Sequence, residues 1–345
     1  MAQRPYDADE HTRRQRFLKL FQSFDANTRF PAPYVQFAGK PLAPLADRNW
    51  RYDVLGYRND IHADTRPASE TLRVFVVGDS TLVDGQVFAD TVPGRLESGL
   101  KRIHGEGARV YNFGAISACL NQMIALITTR LMDLQPDVIL IVGGGTDIFQ
   151  PWSFDPRAGC PYNHFVSECL HGFFFDQTGA ETDAEELSYD RLQEMIFNRL
   201  ENLRALTNWQ SDIWEWEVVR QFEVSLKRLA RLAPGIGAPV RFYLQPTIVR
   251  KTELAADEET VASGPFLAYL DRQYTRFAGV LDRLDLAGGG QAPFAVQDLS
   301  KLFEGESRHL FTDIVHVTSE GRQMVADRLQ AEIAAFLDTR TGTSV

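Results

Sequence analysis

The sequence predicts an α/β chain in which a central parallel five-stranded sheet lies between two layers of helices, with a helical insertion. Three observations carry this. The run Val138-Ile139-Leu140-Ile141-Val142 is apolar without alternation, as expected of a strand covered on both faces. A second run, Val74-Phe75-Val76-Val77, stops at Gly78-Asp79-Ser80-Thr81 and reads as a buried strand ending in a sharp loop. Around these runs strand-like and helix-like periodicities alternate, which implies right-handed crossovers and a doubly wound sheet.

In chain order, residues 1–28 place Phe17, Leu18, Phe21 and Phe24 at helical spacing, which predicts a short packing helix. From 30 to 67 prolines and aromatics follow with little periodicity, and Gly56-Tyr57-Arg58-Asn59 belongs to this lead-in, which is expected to wrap the sheet. Residues 92–103 read as a helix, 108–112 as a strand, and 117–132 as a helix with Leu120, Ile124, Ile127 and Leu131 on its buried side. Pro136-Asp137 breaks the chain before the 138–142 strand. Gly143-Gly144-Gly145 lacks a lysine at phosphate-loop spacing, so it reads as backbone that lets a substrate carbonyl approach closely.

From 150 to 239 the alternation is lost. Pro151, Pro156, Gly159 and Pro161 mark an irregular stretch, and 184–206 and 213–232 read as two long amphipathic helices. This segment is expected to be a helical insertion over the carboxyl end of the sheet, a lid with joints at Gly159, Gly179 and the acidic stretch 181–186. The sheet resumes at 241–244 and ends at Gln245-Pro246, followed by a helix over 266–284 and a turn at Gly288-Gly289-Gly290. A final strand at 294–296 precedes a helix over 318–337 with Val325, Leu329, Ile333 and Phe336 buried and Thr318 as its cap. The expected division is a lead-in over 1–70 and one main domain over 71–345 that contains the insertion. Together these elements predict the flavodoxin-like arrangement.

With 345 residues, 44% hydrophobic and 24% charged, the chain has the balance of a globular protein. The net charge of −10 argues against a nucleic acid or an anionic membrane as partner, because phosphate binding needs basic surface. No stretch approaches the roughly 20 apolar residues of a membrane span. The first apolar cluster, Phe17 to Phe21, is interrupted by Lys19 and does not make a signal sequence. Cys119, Cys160 and Cys169 are read as reduced thiols, and a cytoplasmic location is expected. Cys160, His164, Cys169 and His171 are zinc-ligand types, but their spacings match no common finger, so no metal is expected. Trp209, Trp214 and Trp216 lie among Asp212, Glu215 and Glu217, a composition that suits either a sugar-stacking platform or helix packing.

Ser80 stands just beyond the carboxyl end of a strand, where ligands gather in open α/β sheets, and can serve as nucleophile or as helix N-cap. Far downstream, Asp313 and His316 are three residues apart, so one turn of backbone presents both side chains together. A carboxylate can then orient the imidazole while the imidazole takes the serine proton. The α/β-hydrolase elbow is excluded, because Leu82 stands where Gly-x-Ser-x-Gly needs its last glycine.

With Gly78-Asp79-Ser80, Asn112-Phe113-Gly114, Gly144-Gly145-Thr146-Asp147 and Asp313-x-x-His316 in this order, the chain resembles the SGNH, or GDSL-like, hydrolases over roughly residues 70–340. One departure is Thr146, which stands where that family has its oxyanion-hole asparagine. The resemblance implies Ser80 as nucleophile, His316 as base and then acid, and Asp313 as its orienter. It also implies an oxyanion hole from Ser80, Gly114 and Thr146. Asp79, Gly145, Asp147 and Trp214 complete the expected substrate-binding set, with loop support the preferred role of Asp79 and Asp147. No cofactor is implied, and the expected substrate is a small-molecule ester or acylated sugar carrying a small, often acetyl, group. Two rivals stand beside ester hydrolysis: acyl transfer through the same triad, and a binding protein with a degraded site.

Overall fold

The computed structural model describes residues 30–42, 51–60, 63–175, 189–262, 264–285 and 293–341. The helix expected over 1–28, the turn at 288–290 and the joints at Gly179 and 181–186 lie outside the described residues.

The five expected strands are β3 (Leu72–Gly78), β4 (Ala108–Gly114), β5 (Val138–Gly143), β6 (Val240–Leu244) and β7 (Phe294–Asp298). They form one sheet in the order β4-β3-β5-β6-β7, parallel throughout. Every residue of β3 and β5 is buried, which explains their unbroken apolar runs. Side chains alternate between two layers: Phe75, Val77, Ile139 and Ile141 enter one core, and Val74, Val76, Leu140 and Val142 the other. The flavodoxin-like fold predicted from the sequence is the one observed. From β3 the chain first moves outward to β4 and then returns to β5 on the other side, so a crevice opens beyond the carboxyl ends of β3 and β5.

Helices α2 (Val92–His104) and α9 (Ser319–Thr341) cover one face. The other face is covered by α3 (Leu120–Leu126), α7 (Asp212–Ile236) and α8 (Pro265–Asp285). The short α1 (Ser80–Val83) and α4 (Gly145–Ser153) start directly from the ends of β3 and β5. The lead-in contains an antiparallel pair, β1 (Phe30–Ala32) with β2 (Gln36–Ala38), and buries Val35 and Tyr57 in the main core.

Three differences from expectation have physical causes. The helix predicted from 117 begins at Leu120, because Ser117 adopts φ 63° and a capping box closes between Cys119 and Gln122. It then widens into a π-helical turn over Ile127–Leu131, where the hydroxyls of Thr128 and Thr129 bond back to the carbonyls of Ile124 and Ala125. Residues 145–153, expected to be partly irregular, form α4 with Pro151 inside it.

The third difference concerns the insertion. A helix not predicted, α5 (His164–Phe175), packs with α6 (Tyr189–Leu206) around a small core of their own, including Phe165, Val166, Ile196 and Leu200. By contrast α7, the second of the helices assigned to the insertion, is the crossover from β5 to β6. It places Trp214, Val218, Phe222, Leu226 and Leu229 in the main core. The segment 150–239 therefore combines a separately packed helix pair with an integral layer of the sheet.

Candidate active site

Asp79 follows β3 and caps α1: its Oδ1 accepts from the Thr81 amide at 3.0 Å and the Thr81 hydroxyl at 2.8 Å. The capping role open to Ser80 is thus held by Asp79, and Ser80 occupies the first helical position. Its Oγ lies 2.8 Å from Nε2 of His316. Nδ1 of His316 is 2.6 Å from Oδ2 of Asp313.

The spacing of three in Asp313-x-x-His316 is realised as a tight loop rather than a helical turn. Phe311 and Val317 pair in an antiparallel bridge, and the Thr312 amide donates to the His316 carbonyl at 2.9 Å. Oδ1 of Asp313 accepts from the amides of Val315 and His316 at 2.9 and 2.7 Å, leaving Oδ2 for the imidazole. Burial opposes ionisation of Asp313, but the His316 hydrogen bond, its charge and the two amides outweigh it and lower the carboxyl to about 2. An ionised carboxylate only accepts, so Nδ1 carries the proton and Nε2 is left to accept from the Ser80 hydroxyl. Burial would depress the imidazole, yet the bond to Asp313, its charge and those of Asp79 and Asp84 raise it above its ordinary 6.5.

The other expected site residues are engaged within the protein. Thr146 donates its hydroxyl to Oδ2 of Asp79 at 2.7 Å, so that proton faces the loop acid and not an oxyanion. The Gly114 amide donates to Oδ1 of Asn112 at 2.8 Å. A side chain at Gly114 would come within 2.7 Å of Leu82 Cβ, which explains the glycine. At Gly145 a Cβ would lie 2.6 Å from Gln245 Nε2 and 3.0 Å from the Tyr274 hydroxyl. The close approach that this glycine permits is therefore to the protein's own side chains and not to a substrate. Asp147 accepts from the Leu120 amide through both oxygens at 3.1 Å and so holds the start of α3. Burial, against the Leu120 amide and aided by the Asp79 charge, raises its carboxyl to about 7.

Trp214 is not a sugar platform. It is 2% exposed, stacks on Tyr269 at 5.4 Å between ring centres, and donates its indole N–H to the Pro156 carbonyl. Trp209 likewise donates to the Pro151 carbonyl at 3.1 Å, whereas Trp216 is exposed beneath the Arg276 guanidinium. His164 meets Gln36, Cys169 meets the Met195 carbonyl, and no three His, Cys, Asp or Glu side chains among the described residues are grouped to hold a metal ion.

Several supports had no local sequence signal. Asn59 donates to the Asn112 carbonyl at 3.1 Å and accepts the Asn112 amide at 2.7 Å, while Asn112 itself donates to the Leu82 carbonyl at 2.8 Å. Arg58, buried, donates to the carbonyls of Val83, the last residue of α1, and of Gly85 just beyond it. Arg58 and Asn59 belong to a block the sequence singles out, Gly56-Tyr57-Arg58-Asn59, and nothing local ties that block to the Ser80 loop.

No family model matches the chain, and no curated protein matches it. Among solved structures it is similar to an α/β hydrolase enzyme from the metagenome of Lake Arreo, at 13% identity and TM-score 0.43, over 77% of this chain and 96% of that one. It is also similar to an acetylxylan esterase from Geobacillus stearothermophilus, at 11% identity and TM-score 0.42, over 76% and 94% of the two chains. A third is described as a GDSL-like lipase from Parabacteroides merdae, at 13% identity and TM-score 0.39, over 78% and 98%. At such identities the likeness concerns the path of the chain, and the chemistry has to be found in this chain's own side chains.

Proposed function

We propose that this chain is a serine esterase of the SGNH, GDSL-like type that removes a small acyl group through an acyl-enzyme. One observation carries the reading: the line Asp313, His316, Ser80, in which a gap of 2.6 Å joins the acid to the imidazole and one of 2.8 Å joins the imidazole to a serine 236 residues away in sequence. Such a line lets His316 take the Ser80 proton as the oxygen attacks, return it to the departing alcohol, and then activate water against the acyl-enzyme. The Ser80 amide, at the start of α1, is the first donor for the oxyanion. The Gly114 amide and Thr146 hydroxyl would each have to exchange a present partner for it. Since one such donor contributes roughly 2.7–4 kcal/mol to the transition state, generic esters should turn over slowly.

The test is labelling of Ser80 by a fluorophosphonate, followed by the pH dependence of hydrolysis of an activated acetyl ester. Protonated His316 cannot accept the serine proton, so kcat/KM should rise with pH, and its midpoint should lie above 6.5 because the imidazole is raised. Asp313, lowered to about 2, should contribute no second step in the measured range. A profile flat from acid to neutral pH would remove His316 as base. Analysis of the products with a candidate acceptor alcohol present separates transfer from hydrolysis, since both use the same triad.

We further propose that α5 and α6 form the lid, tethered to α3 through the segment that leads into α5. Asn121 of α3 donates to the Gly159 carbonyl at 3.0 Å, and Asp155 accepts the Phe165 amide at 3.3 Å. Replacing residues 164–206 with a short linker should leave a cooperatively folding enzyme that hydrolyses small esters but no longer discriminates against bulky ones. The ratio of kcat/KM for the two ester sizes measures this, and loss of the unfolding transition would instead place these helices in the core. Excision of all of 150–239 should unfold the chain, because each large core side chain lost with α7 costs about 2–5 kcal/mol.

A further inference from the structure

We propose that Arg322 is a positioning residue that holds the nucleophile helix and the histidine loop in mutual register, an inference that rests on the hydrolase reading above. Arg322 lies on the first turn of α9, and its side chain is 9% exposed. Nη1 donates to the Val317 carbonyl at 2.7 Å and to Asp84 Oδ2 at 2.9 Å. Nη2 donates to Asp90 Oδ2 at 2.8 Å, and Nε to the Asp90 carbonyl at 2.8 Å. Val317 directly follows His316. Asp84 directly follows α1, and its amide bonds the Ser80 carbonyl at 3.0 Å. One planar guanidinium therefore ties the backbone beside the base to the end of the four-residue helix that begins with the nucleophile. Four of its five N–H groups are used, in a rigid fork that a lysine cannot reproduce.

The bridge also has an electrical side. The groups acting on His316 are Asp313 first, then Asp79 and Asp84, with Asp84 paired to Arg322. Removing Arg322 leaves Asp84 uncompensated and favours the imidazolium. Removing the Asp84 charge disfavours it. Both changes cut the same bridge, so a brace that acted only on stability would not separate them.

The experiment compares Arg322→Gln, Arg322→Lys and Asp84→Asn with the parent by pH profile on a small acetyl ester and by NMR titration of the His316 imidazole. A misplacement of about 1 Å costs on the order of a hundredfold, so kcat should fall about ten- to a hundredfold in all three while KM for the small ester stays close to the parent's. The His316 midpoint should move to higher pH in Arg322→Gln, to lower pH in Asp84→Asn, and stay near the parent in Arg322→Lys, which keeps the charge but not the fork. Unshifted midpoints, or shifts in one direction, in folded variants would overturn the proposal, as would full kcat in Arg322→Lys. Should Arg322→Gln fail to fold, the other two variants still decide it. The NMR titration needs no turnover: opposite shifts in a protein that neither hydrolyses esters nor reacts with fluorophosphonate would sink the esterase reading and leave the bridge standing.

Discussion

Ser80→Ala is expected to lower kcat/KM on an activated acetyl ester by on the order of 10⁴- to 10⁶-fold while leaving the fold intact. That span corresponds to about 5–8 kcal/mol of transition-state stabilisation, and His316→Ala should be comparably damaging because the two groups act as a unit. The nucleophile is the bond-forming atom, so its loss takes with it the contributions of His316 and Asp313, which act only through it. The fold should survive because the capping of α1 rests on Asp79, and the Ser80 hydroxyl is bonded to His316 alone among the hydrogen bonds described. Circular dichroism and the thermal unfolding curve should match the parent, and fluorophosphonate labelling should vanish. Retained hydrolysis in the variant would show that another group attacks the ester, and the triad geometry would then have no catalytic meaning.

What the sequence made legible, and what it hid, follows from the range of the forces involved. The buried strands were readable because both faces of β3 and β5 are covered, which forces apolar residues at consecutive positions. Ser80, Asp313 and His316 could be singled out because short blocks bracket them, although 236 residues separate the serine from the histidine. Helix α5 was missed because its apolar side is matched by α6 and not by the sheet, and its proline- and glycine-rich approach resembles a loop. The place of α7 was misjudged for the opposite reason: an amphipathic stripe does not say which layer it meets, and this one meets the main core. Trp214 shows the same limit, since a tryptophan among acids has one composition whether it is 2% exposed or solvent-facing. The supports of the site, Asn59, Arg58 and Arg322, act on backbone carbonyls and amides up to 232 residues away, and backbone partners leave no trace in side-chain patterning.

The second large effect is expected at Glu258, which stands outside the line of Asp313, His316 and Ser80. Its fully buried carboxylate accepts from the amides of Leu310 and Phe311 at 2.9 and 2.8 Å and from the Ala255 amide at 2.8 Å. It also pairs with the equally buried Lys251, which donates onward to the Arg308 carbonyl at 2.7 Å. Burial alone would favour the neutral acid, but Lys251 and the three amides outweigh it and hold the carboxyl below its ordinary range. A carboxyl lowered in the folded state stabilises the fold above its unfolded pKa, and that contribution is lost as pH falls through the folded value. Glu258→Gln keeps the shape, yet it leaves the Lys251 charge buried without a partner and gives one amide oxygen the task of two carboxylate oxygens. Breaking such a pair from one side costs about 3–5 kcal/mol, readable as an earlier midpoint in chemical denaturation. Because Leu310 and Phe311 lead directly into the Asp313–His316 loop, kcat should fall at denaturant concentrations where the chain is still folded. Replacing both partners, Lys251→Met with Glu258→Gln, should recover much of the stability, since no unpaired charge then remains inside. An unchanged midpoint in Glu258→Gln, or a double variant no better than the single, would show that this carboxylate neither anchors the loop nor compensates Lys251.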